Sequence, residues 1–139
     1  MSERTSGSRY TRRLLIVEHE RDVREMLTEH FESLGCRVET ATDGNDAIAK
    51  ALKTPPDVII LEFELPHLDG WETMKVLASY PTTKKIPVVG CTVASDEGLR
   101  KARELGCRDI ARKPCTLATV EAMVRNALDA GAPTASGAG

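Results

Sequence analysis

The sequence predicts an α/β fold, a doubly wound parallel sheet flanked by helices in three α/β/α layers. Strand-like and helix-like segments alternate along the chain, giving five βα units in a row. DVIIL, in the middle of the chain, is apolar without alternation after its aspartate, as a strand covered on both faces should be. Charged residues follow directly on several strand segments, where an open parallel sheet gathers its functional groups.

RLLIV, residues 13–17, is the first strand. In the helix after it, Val23, Leu27, Phe31 and Leu34 recur at helical spacing, with Met26 alongside and Gly35 at the C-cap position. CRVETA is a short second strand, and GNDAIAKAL a short helix with Ile48, Ala51 and Leu52 on one side. DVIILE is the third strand, LPHLDG a loop of turn residues, and WETMKVLAS the third helix. IPVVGCT is the fourth strand. SDEGLRKARELG is the fourth helix, with Ser95 or Asp96 as N-cap and Gly106 as C-cap. RDIAR is a weak fifth strand before Lys113-Pro114, and the last helix carries Leu117, Val120, Val124, Ala127 and Leu128 on one stripe.

The 139 residues suffice for one domain with one core. Residues 13–130 are expected to form it, with residues 1–12 a disordered arm and residues 131–139 a disordered tail or linker. A hydrophobic share of 41%, a charged share of 29% and a net charge of −2 give no general pull toward nucleic acid or anionic lipid. No apolar run approaches the length of a membrane span, and the basic, Ser-rich start lacks the apolar core of a signal peptide. A cytoplasmic protein is expected. Cys36, Cys91, Cys107 and Cys115 show no paired metal-binding spacing and read as reduced thiols in the core. Neither a Ser-His-Asp set, a P-loop nor a Gly-rich dinucleotide motif is present, so no enzyme, cofactor or resident metal is expected.

The strand ends carry the candidate site. The first delivers Glu18 and His19, the third Glu62, the fourth Thr92 and the fifth Lys113. In the predicted sheet all five residues reach one edge.

Through LLIVEHERDVREML, ATDGNDAIAKAL, PDVIILEFELPHLDGWE, IPVVGCTV and GCRDIARKPCT, residues 13–130 resemble the receiver domain of two-component response regulators. The resemblance implies a flavodoxin-like (βα)5 fold with strand order 2-1-3-4-5. It also implies a cis Lys113-Pro114 bond and a site where an aspartate after the third strand is phosphorylated beside Mg²⁺. Two acids after the first strand would hold the metal, and a Thr or Ser and a Lys would contact the phosphoryl group. Glu18, Thr92 and Lys113 match. His19 stands where the second acid belongs and Glu62 where the phosphorylated aspartate belongs.

These departures set the functional expectation. Mg²⁺ favours hard oxygen donors, whereas imidazole suits transition metals. The residues named leave two carboxylates, Glu18 and Glu62, against Lys113 and the titratable His19. The Glu62 carboxylate reaches about 1.5 Å further than an aspartate's, which favours an ion pair with Lys113 and misplaces a nucleophile. Val93 follows Thr92, where receivers usually keep a small residue. Ile110 occupies the switch position usually held by an aromatic ring.

The expected function is therefore a phosphorylation-independent pseudo-receiver acting in bacterial signalling through protein–protein interaction. The alternatives are a receiver that still switches, and a transition-metal or small-ligand module built on His19 and the two glutamates. The partner is expected on the face of the fourth helix, fifth strand and fifth helix, which offers Arg100, Lys101, Arg103, Arg108 and Arg112 with Leu117 and Ala118. His30 and His67 read as surface residues and Trp71 as packing. The oligomeric state is not legible in the sequence.

Overall fold

A computed structural model describes residues 11–130. The expected arm and tail fall largely outside them. The chain alternates β1 (Arg13–Val17), α1 (Arg21–Ser33), β2 (Arg37–Ala41), α2 (Gly44–Lys53) and β3 (Val58–Glu62). It continues through α3 (Gly70–Ala78), β4 (Val88–Thr92), α4 (Asp96–Glu104), β5 (Asp109–Arg112) and α5 (Leu117–Ala130). The strands form one sheet of order β2-β1-β3-β4-β5, with every neighbouring pair parallel. This is the flavodoxin-like doubly wound order.

Alternation along the strands splits the core in two. Leu15, Val17, Ile59 and Leu61 face the layer of α2, α3 and α4, with Met74 and Ala102. Leu14, Ile16 and Ile60 face α1 and α5, with Leu27, Phe31 and Val124. The register sets Val17 beside Leu61, Glu62 beside Cys91 and Thr92 beside Arg112, so the polar strand ends meet on one edge.

Two glycines end helices as expected: Gly35 and Gly106 take φ of 92° and 102°, a region that side-chain-bearing residues rarely adopt. Ser95 occupies the N-cap of α4, without a side-chain cap bond. Asp43 and Asp69 cap α2 and α3 through their carboxylates.

Several helix faces differ from the sequence reading. α1 stops at Ser33, just before Leu34; Leu34 and, within the helix, Met26 are about half exposed, while Leu27 and Phe31 are buried. α2 buries Gly44, Ala47 and Ala51, with Ile48 only partly covered. A Cβ on Gly44 would lie 2.2 Å from the Thr73 hydroxyl, so small residues let α2 approach α3 closely. Met123 joins Val120, Val124 and Ala127 in the buried stripe of α5, where Leu117 and Leu128 are only partly covered.

Two further expectations need correction. His30 is not a free surface residue: its Nε2 meets the Glu121 carboxylate at 2.8 Å, tying α1 to α5. The cysteines are not all free thiols either. The fold places Cys91 on β4 beside Cys115, their Cα atoms 6.6 Å apart, and the two are joined by a disulfide. Cys36 and Cys107 remain free. Burial pushes the Cys107 thiol up to about 12.

Candidate functional site

Each site residue is placed by a strand end. The backbone N–H of Glu18 still donates to Ala41 of β2, at 3.0 Å, so Glu18 continues the line of β1. Its carboxylate folds back to accept the N–H of Glu20. Arg24, from the first turn of α1, donates to the carbonyls of Glu18 and His19 at 3.0 and 3.3 Å and fixes the loop between them. Glu62 ends β3, and the N–H of Lys113 donates to the Thr92 carbonyl at 2.7 Å, so the ends of β4 and β5 stay in register. The Lys113-Pro114 bond is cis, as the resemblance implies.

The geometry brings four of the five expected residues together. Lys113 Nζ closes on Glu62 Oε1 in a direct ion pair. His19 Nδ1 faces the other Glu62 oxygen at 3.5 Å and a Glu18 oxygen at 3.7 Å. Glu18 and Glu62 are buried, while the His19 side chain is 40% exposed and roofs the cluster.

Burial pushes the Glu62 carboxyl above its ordinary value. The hydrogen bond from Lys113 pulls it down, and the charges of Glu18 and Glu64 push it up again. For Lys113 burial works against the charge, but Glu62, then Glu18 and Glu64, outweigh it and hold the amine above its ordinary value.

Thr92 does not join this cluster. Its hydroxyl donates to the carboxylate of Glu64, in the loop between β3 and α3. The N–H of Val93 reaches the other Glu64 oxygen at 3.3 Å, and the N–H of Ala94 donates to Thr92 Oγ1 at 3.0 Å. The site thus holds a third carboxylate that the sequence reading missed. Phe63, next to it in the chain, is buried, and Glu64 lies back over the sheet edge against the end of β4. Gly90 makes room for that ring, since a Cβ there would lie 2.4 Å from Phe63 Cε1.

Ile110, at the switch position, is buried in the core face toward α4. Val93 is 63% exposed. Trp71 packs its ring on Phe63 and also donates its indole N–H to the Gly98 carbonyl at 3.1 Å, which joins α3 to α4. On the face of α4, β5 and α5, Arg100 is paired with Glu97 and Glu104, and Arg112 with Asp96. Those two charges do not form a free basic patch.

The donor set fits Mg²⁺ poorly. One of the three clustered groups is an imidazole, and one oxygen of Glu62 is committed to Lys113. Ligand atoms of Glu18, His19 and Glu62 do lie within 4.8 Å of one another.

Fold and site together define a doubly wound domain with a charged cluster at the carboxyl edge, between β1 and β3 where the strand order reverses. The response regulator receiver domain family matches residues 14–125, and the chain belongs to that family. It is 36% identical over 104 residues to a protein-glutamate methylesterase/protein-glutamine glutaminase of Symbiobacterium thermophilum, covering 73% of this chain and 29% of that protein. The chain thus spans under a third of that relative. Protein PilG of Pseudomonas aeruginosa is 30% identical over 105 residues, covering 73% of this chain and 76% of PilG. Among solved structures, the chemotaxis response regulator CheY4 of Vibrio cholerae superimposes with a TM-score of 0.79 at 28% identity, covering 85% of this chain and 99% of CheY4. The signal receiver domain of a histidine kinase from Syntrophus aciditrophicus gives 0.81 at 29% identity, covering 89% of this chain and 95% of that one.

Proposed function

We propose that this receiver domain works in two-component signalling without phosphoryl transfer, as a protein-interaction module. The observation that carries the reading is the ion pair of the buried Glu62 with Lys113, beneath His19. A glutamate at the acceptor position is already engaged by the lysine that would otherwise meet a phosphoryl group. The imidazole of His19 stands in for a hard oxygen ligand of the metal. Without that metal, phosphoryl transfer loses its main electrostatic support.

In this reading Glu18, His19, Glu62, Thr92 and Lys113 form a degenerate phosphorylation pocket, and Ile110 a switch position without an aromatic rotor. The output is docking of a signalling protein on the face of α4, β5 and α5, in the cytoplasm, with no catalysis by this chain. Incubation with acetyl phosphate and Mg²⁺, read by intact-protein mass spectrometry, tests it. The expected result is an unchanged mass. A phosphoryl adduct on Glu62 would instead establish a receiver that still switches.

A second reading rests on the clustering of Glu18, His19 and Glu62. Two carboxylates and an imidazole suit Zn²⁺ or Ni²⁺ better than Mg²⁺. Stabilisation by Zn²⁺ that disappears in His19→Ala supports this reading, and its absence at millimolar metal removes it.

A further inference from the structure

We propose that Glu64 is an internal oxyanion: its carboxylate occupies the Thr92 hydroxyl and the Val93 N–H, and the pocket thereby carries its own ligand. Two observations support this. The carboxylate accepts from both donors, one through each oxygen. Thr92 ends β4 and Val93 opens the loop that follows it, so a side chain from the loop after β3 reaches across to the end of the neighbouring strand. The resemblance gives Thr92 to an incoming phosphoryl group, and here Glu64 makes that hydrogen bond from within the chain.

The chemistry is consistent. A hydroxyl and a backbone N–H directed at one carboxylate are donors suited to an anion, and hydrogen bonds to a charged acceptor are the stronger kind. A carboxylate offers one negative charge and two oxygens, where a phosphoryl group offers nearly two charges and three. Glu64 can therefore satisfy both donors without reproducing the full charge. It also adds a fixed negative charge near Glu62 and Lys113, which opposes the approach of a second anion.

The tie has a route outward. Ala94, bonded to Thr92, lies where a Cβ on Gly98 would meet it at 2.5 Å, and Gly98 accepts the indole N–H of Trp71. Glu64 thereby fixes the first turn of α4 in one position relative to Trp71, next to the proposed docking face. The inference deepens the proposed reading, since it names what fills the pocket in place of a phosphoryl group.

Hydrogen exchange and chemical shifts of the ¹⁵N-labelled chain test it, in the wild type, Glu64→Ala and Glu64→Gln. Loss of the carboxylate is expected to speed exchange at the Val93 amide about tenfold, the equivalent of one net hydrogen bond, and to move the Val93, Ala94 and Trp71 indole resonances. Acetate added to Glu64→Ala at constant ionic strength should return the Val93 and Ala94 shifts toward wild type, where chloride does not. Thr92→Val removes one donor from the opposite side and should also move the Val93 amide, should either Glu64 variant fail to fold. Val93 exchange identical in all of these chains would overturn the proposal. So would a released Val93 amide that answers to neither acetate nor inorganic phosphate, because Glu64 would then be only a structural tie. Neither result bears on whether the wild type takes up phosphate, which the mass measurement decides separately.

Discussion

Lys113 reaches Glu62 across the ends of β5 and β3 and pairs with a carboxylate whose side chain is 3% exposed, while its own is 32% exposed. The two partners are therefore unequally dependent on each other. Removing the lysine strands a buried charge. Removing the glutamate leaves a cation that can still reach water.

The inequality sets the order of two substitutions. Lys113→Met should cost about 3 kcal/mol, the lower end for breaking a buried pair. Glu62→Gln should cost about 1 kcal/mol, near a single hydrogen bond. Urea unfolding of the two variants beside the wild type checks the order, and equal costs would show that water reaches Glu62.

The pH dependence follows from the direction of the Glu62 shift. Burial raises its carboxyl above the ordinary value of 4.5. Between that value and the higher folded one, the folded state binds more protons than the unfolded state, so this group's contribution falls as pH rises through the window. The stability of the wild type relative to Glu62→Gln should be greatest below pH 4.5 and decline above it. A relative stability that rises through the window would contradict the sign.

Restoring the acids tests what blocks the pocket. His19→Asp with Glu62→Asp returns hard oxygen donors and shortens the acceptor, with Glu18, Thr92 and Lys113 unchanged. Mg²⁺ binding and some phosphoryl uptake from acetyl phosphate should appear. Adding Glu64→Ala should raise that uptake further, because Thr92 and Val93 become free. Mass spectrometry over time ranks the two chains, and equal rates would place the barrier elsewhere.

The fold was legible because periodicity and strand ends are local signals. DVIIL shows its two-sided burial in its composition, and Gly35 and Gly106 mark helix ends by the φ they allow. The Glu62–Lys113 pair was legible because both residues sit at strand ends that a parallel sheet must bring to one edge. Glu64 was not. It lies in a loop, and its partners Thr92 and Val93 become neighbours only once Phe63 is buried beneath Gly90. The Cys91–Cys115 pair escaped for the same reason: 24 residues separate the two, and only the docking of the segment after β5 against β4 joins them.

Thiol counting checks that pairing directly. In denaturant without reductant, two thiols should react, from Cys36 and Cys107, and all four after reduction. Under native conditions Cys107 should stay silent, since burial holds its thiol at about 12 and the thiolate is the reactive form. Burial raises the Cys36 thiol as well, so its reaction should be slower than that of a free cysteine. Four reactive thiols in unreduced, denatured protein would mean that Cys91 and Cys115 are in contact without being bonded. Reduction is expected to loosen the tie between β4 and the segment that carries Lys113. A Lys113→Met cost that is the same in reduced and oxidised protein would show that the ion pair holds this segment without the disulfide.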